Sequence, residues 1–114
     1  MTQVRSFIRR TKSLFAALAL VGTATALAAS STEAPFLAEN EAAMTKMMRD
    51  MHVKPTGDVD KDFVAMMVPH HQGAIDMAQA ELRYGHNEKL RRIAQEIIVT
   101  QQQEIPVMRQ AVGE

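Results

Sequence analysis

The chain has no cysteine. No disulfide can brace it, and no thiolate can hold a metal. In an oxidising compartment, soft-metal chemistry would fall to methionine and histidine. Charge of one sign is not in excess either: 13 Lys and Arg balance 13 Asp and Glu over 114 residues. With no basic patch, a nucleic-acid partner is not expected. No strand signal, low-complexity segment or convincing internal repeat appears. Nor does a Gly-rich phosphate loop, or a serine or cysteine placed for a nucleophilic triad. Carboxylates at helical spacing are too few for a calcium or magnesium cage. The Glu-x-x-His pairs that bundle-type di-iron centres draw from two helices are missing as well. No enzymatic activity is expected.

A long apolar run is also lacking. "MTQVRSFIRRTK" carries Arg5, Arg9, Arg10 and Lys12 with no acid, and "SLFAALALVGTATALA" follows. That order is the signature of an export signal, with a small-x-small cleavage site at Ala26-Leu27-Ala28. The run is shorter than the roughly 20 residues that a membrane span needs. An uncleaved anchor is the alternative reading, and Arg9-Arg10 is a poor fit to a twin-arginine signal. Residues 1–28 are read as a cleavable signal peptide, and the protein as periplasmic or secreted, with no membrane association after cleavage. Removal leaves 86 residues and takes away four basic side chains but no acid, so the balance moves from zero to about −4. A chain of that size holds one domain and buries only about 60% of its surface, so its core is marginal.

Residues 29–33 read as a flexible start, and residues 34–114 as one helical domain. From Pro35 the pattern is helical. Phe36, Leu37, Met44, Met47, Met48 and Met51 fall within an arc of about 120°. Pro55 and Gly57 punctuate the chain. A second helix is predicted from Asp58 or Asp60 to Tyr84, stopped by Gly85. Its apolar arc of about 200° implies cover on two sides. Asn87 is a suitable N-cap for a third helix. On that helix Leu90, Ile93, Ala94, Ile97, Ile105 and Met108 share a face with Gln101 and Glu104. Short loops between three long helices predict an all-α fold, an antiparallel up-down bundle. Pro69 lies on the polar side of helix two, where a bend wraps the helix around the core.

The stretch "MMVPHHQGAIDMA", residues 66–78, carries the chemistry. His70 and His71 are about 100° apart and face different neighbours. His70 shares a stripe with Met66 and Met77, and His71 shares its own with Met67, Ile75 and Leu82. Thioether and imidazole without thiolate suit copper, Cu(I) above all. The bland alternative is that the methionines fill the core and the histidines are hydrogen-bonded structural residues. Gln101 and Glu104 would satisfy the histidine N–H groups across the bundle in either case. The expected metal ligands are His70 with Met66 and Met77, completed by Met44, Met47, Met48 or Met51 of the first helix. His71 with Met67 forms a weaker position, and His52 is a poorer candidate at a helix end.

The same stretch, with "LRRIAQEIIVTQQQEIPVM" after it, resembles the domain of unknown function 305 family. Its members carry a Met-x-Pro-His-His-Gln-Gly-Ala motif and a later Gln-x-x-Glu-Ile-x-x-Met segment. The resemblance covers about residues 60–108. It implies an exported, ferritin-like helical bundle, with some members binding copper through methionine and histidine in copper resistance. The implied equivalents are Met66, Met67, His70, His71 and Met77, with Gln101, Glu104 and Met108 behind them. Many members have residues enough for four helices, so a three-helix chain calls for a homo-oligomer to complete the bundle. The expected function is copper (or silver) buffering, sequestration or resistance, with a copper-handling protein as a possible partner. A metal-free interaction module with a methionine-rich docking face is the first alternative, and a di-metal oxidase the second.

Overall fold

The structure is a computed structural model in which residues 21–114 are described, with side chains from Thr32 onward. Three helices make up the fold: α1, Val21–Met51; α2, Val59–Tyr84; and α3, Glu88–Ala111. The described residues contain no strand, and the fold is an all-α helical bundle.

Local chemistry sets the ends of α2 and α3. The Asp58 carboxylate accepts from the backbone N–H groups of Asp60 (3.0 Å) and Lys61 (3.2 Å), so Asp58 caps α2. The Asp62 carboxylate reaches back to the Thr56 N–H (3.0 Å) and takes the Thr56 hydroxyl (2.7 Å), which ties down the incoming loop. At the other end the Gly85 N–H donates to the Glu81 carbonyl (2.8 Å). A Cβ at Gly85 would stand 2.7 Å from that same oxygen, which explains the glycine. Arg91 then donates to the carbonyls of Leu82 (2.6 Å) and Gly85 (3.0 Å), placing a cation on the open C-terminus of α2. Asn87 caps α3 by accepting from the N–H groups of Lys89 and Leu90.

The first helix begins well before Pro35. Residues 29–33, read from the sequence as a flexible start, lie within α1, and Pro35 is inside it. Of the expected signal segment, residues 1–20 lie outside the described residues. No helix of the described residues is long and apolar enough to cross a membrane.

The middle helix carries the assembly. Both α1 and α3 pack against α2, and among the described residues they do not touch each other. Glu39 meets Arg83 and Tyr84, while Met47, two turns later on α1, meets Gly73. His71 meets Glu104, and Arg91 meets Leu82. In both pairs residue numbers rise on one helix as they fall on the other. At 100° per residue, the α2 stripe through Gly73, Ala80 and Tyr84 lies about 180° from the stripe through His71, Ile75 and Ala78. The three helices therefore form a flat layer rather than a closed triangle. The buried residues are Ala43, Val64, Gly73, Ile75, Ala78, Ala80 and Ala94. Only Val64 and Ile75 among them are large. The interior is made of small residues that let helices approach closely, with little apolar bulk behind them.

Candidate functional site

The two histidines of α2 are neighbours in sequence and opposites in environment. His71 lies on the α3 side, its side chain 12% exposed. Its Nδ1 is 2.8 Å from the Met67 carbonyl oxygen, and its Nε2 is 2.6 Å from Oε2 of Glu104. A carbonyl only accepts, so Nδ1 donates to Met67, while Nε2 pairs with the Glu104 carboxylate. Both ring nitrogens are thus engaged, and His71 joins α3 to α2. One turn earlier on α3, Oε1 of Gln101 is buried without a partner.

His70 is exposed and makes no hydrogen bond among the described residues. Its ring sits edge-on to His71, centroids 6.4 Å apart. It lies about 60° round α2 from Gly73, between the two packed stripes and nearer the α1 side. A Cβ at Gly73 would stand 2.7 Å from the Met47 sulfur and 2.9 Å from the Met47 Cβ, so α1 crosses α2 here at close range. Met47 and Met51, one turn apart on α1, are the thioethers near His70.

The methionines of α1, read as one face, divide in the structure. Met47 and Met51 are half-buried towards α2, whereas Met44 is 50% and Met48 62% exposed. The reason is geometric. The direction from α1 to α2 runs through Ala43 and Met47, at the edge of the methionine arc rather than its centre. On α2, Met66 is exposed, and Met67 and Met77 are half-buried. His52 is exposed beyond the end of α1, and Met108 is half-buried on α3, in the register that sets it beside Met67. No group of three or more His, Asp or Glu that could hold a metal occurs among the described residues.

A polar cluster that the sequence did not reveal fastens the middle of α1, two turns before Met47. Arg83 donates to the Glu39 carboxylate through Nε (2.9 Å) and through a second guanidinium nitrogen, and the Tyr84 hydroxyl donates at 2.8 Å. The Arg83 bonds, then that of Tyr84, hold the Glu39 carboxyl below its ordinary range. The hydrogen bond to Glu39, reinforced by desolvation, pushes the Tyr84 hydroxyl up. All three are ordinary surface types, and Glu39 lies more than forty positions from the adjacent Arg83 and Tyr84, so no local pattern signals the pairing.

The chain belongs to the family described as Domain of unknown function (DUF305), which it matches over residues 9–112. That span begins well before the residues that carry the motif and ends four residues after Met108. No curated protein matches the chain.

Proposed function

We propose that the protein is an exported copper-binding protein that holds Cu(I) at His70 together with thioethers of the two helices that meet there. The observation that carries this reading is the contrast between the histidines. His71 has both nitrogens committed, while His70 presents an uncommitted imidazole beside Met47 and Met51. Met66, one turn before His70 in the same stripe, is a third accessible sulfur. This donor set is soft and lacks carboxylates, which favours Cu(I) or Ag(I) over hard cations. Buffering, sequestration or delivery of copper outside the cytoplasm is the role it would serve, without catalysis.

The test is an anaerobic competition between the protein and a chromogenic Cu(I) chelator. Loss of the imidazole in His70→Ala should weaken binding by about tenfold or more, which is 1.4 kcal/mol or more. Met47→Leu and Met51→Leu keep side-chain volume while removing sulfur, and each should weaken binding less than His70→Ala. An imidazole must lose its proton to bind metal, whereas a thioether does not titrate. Affinity should therefore fall between pH about 7.5 and about 5. An affinity that is flat over that range and survives His70→Ala would sink the assignment. No binding of Cu(I), Cu(II) or Ag(I) would leave the interaction module, which the exposed Met44 and Met48 favour. A second experiment addresses export: the N-terminus of the protein recovered from the cell envelope or medium should begin at Ala29.

A further inference from the structure

Most of the exposed large apolar side chains share one side of the layer, although Val99 and Val107 of α3 are turned away from it. Leu37, Met44 and Met48 on α1 are 55%, 50% and 62% exposed, Phe63 on α2 is 52%, and Leu90 and Ile93 on α3 are 53% and 50%. On α1 the Leu37–Met48 stripe lies about 100° round from the direction of α2, and on α3 the Leu90–Ile93 stripe is offset in the opposite sense. Because α1 and α3 both run counter to α2, offsets of opposite sense turn both stripes to the same side of the layer. Phe63, Met66 and His70 occupy that side of α2, between its two packed stripes. The other side of α2 carries Lys61, Gln72, Asp76 and Gln79. The layer thus has one polar face and one apolar face, with His70 near the middle of the latter.

We propose that this apolar face is the contact between two copies of the chain, packed face to face about a two-fold axis, each copy covering the other's His70. The dimensions fit. Three helices set 8–10 Å apart, the shortest about 36 Å long, present a face of roughly 900 Å² or more. A standard stable interface takes about 800 Å² from each partner. The concavity on this face, an open groove of about 700 Å³ along Leu37, Met44 and Met48 with Asn40, Glu41 and Thr45, follows one helix, which suits the ridge of a facing helix better than the enclosed pocket that small ligands need. The face also bears little charge for a charged partner to answer, since Glu104 on its margin is already tied to His71. A two-fold axis lays such a patch on itself, so apolar area meets apolar area throughout. Methionine is well suited to such a contact, because its unbranched side chain adapts to irregular gaps. The pairing also provides what one chain does not: a core with bulk, where a single layer buries only Val64 and Ile75 among its large side chains.

Sedimentation velocity on the full chain, in chelator and at tens of micromolar, tests this independently of copper. The expected mass is twice that of one chain. Met48→Glu and Ile93→Glu alter exposed positions, so the helices remain by circular dichroism, while the dimer dissociation constant rises by about a hundredfold or more as each charge enters the interface twice. Met48→Leu should leave the dimer intact. So should Val99→Glu, which charges an equally exposed apolar position on the outer side of α3. A monomer in chelator overturns the proposal, including one whose face is covered by its own first twenty residues. So does a dimer indifferent to both glutamate substitutions. A metal-free dimer that takes no copper would leave this interface standing and remove the copper site; a copper-binding monomer would do the reverse.

Discussion

At the scale of single residues, the adjacent histidines show how one step along a helix separates a structural group from an available one. A rotation of about 100° carries His71 to α3 and a carboxylate, and leaves His70 among sulfurs. Their substitutions should part accordingly. His71→Ala removes a charge-assisted bond between helices and leaves the Met67 carbonyl and Glu104 to solvent. Such bonds contribute about 1.5–3 kcal/mol, but Glu104 is 53% exposed and water replaces part of the interaction. The expected loss is about 1–2 kcal/mol in urea unfolding at neutral pH. His70→Ala, by contrast, breaks no hydrogen bond and should cost about 0.5 kcal/mol or less. Copper affinity should rank the two variants in the opposite order. If His70→Ala proved the more destabilising in metal-free protein, the division of roles would be wrong.

At the scale of the helices, each contact depends on a different kind of information. Asp58, Gly85 and Asn87 could be read directly, because a cap is settled by residues two or three positions away. The wide apolar arc of α2 likewise announced two packed sides. The start of α1 was not legible, since Pro35 suits a first turn as well as an interior, and the preceding alanine-rich stretch forms helix readily. The split among the α1 methionines was hidden for another reason. A helical wheel gives the width of an apolar arc but not where its neighbour sits on it, and here Gly73 draws Met47 inward and leaves Met48 out. The Glu39–Arg83–Tyr84 clasp was equally out of reach, being a tertiary match of ordinary surface residues. It carries a pH dependence whose sign follows from its partners. Glu39 has a folded value below its usual 4.5, so its contribution is present above that pH and is lost as pH falls through the folded value. Tyr84 has a folded value above 10.0, so its contribution is present below that pH and is lost as alkali rises through the folded value. Between these limits the clasp holds the middle of α1 on α2. Urea midpoints measured from neutral pH down to about 3 should decline more steeply in the native protein than in Glu39→Gln, whose amide has no proton to gain. Parallel curves would show that the clasp adds nothing measurable at this exposed site.

At the scale of the whole molecule, three helices of 24 to 31 residues pack through mostly small side chains, and most of the exposed larger apolar groups lie along one side. Burial supplies most of the free energy that opposes chain entropy, so a layer with one open face is weakly stabilised by itself. A second copy laid on that face would bury those groups and make folding and association one process. Stability would then depend on concentration. For two chains that unfold as they separate, a tenfold rise in protein adds about 1.4 kcal/mol per dimer. For a folded unit of that combined size each kcal/mol moves the midpoint about 2–4 °C. The thermal midpoint of the metal-free protein should therefore climb by roughly 3–6 °C for each tenfold increase in concentration. In Met48→Glu the midpoint should be lower and the climb should vanish, because unfolding then starts from single chains. Copper bound at His70 adds its own stabilisation by mass action in either state, so its shift should add to the concentration effect in the native protein. A midpoint independent of concentration in the native protein would mean that the chain is stable by itself, and that the apolar side of the layer serves a purpose other than self-association.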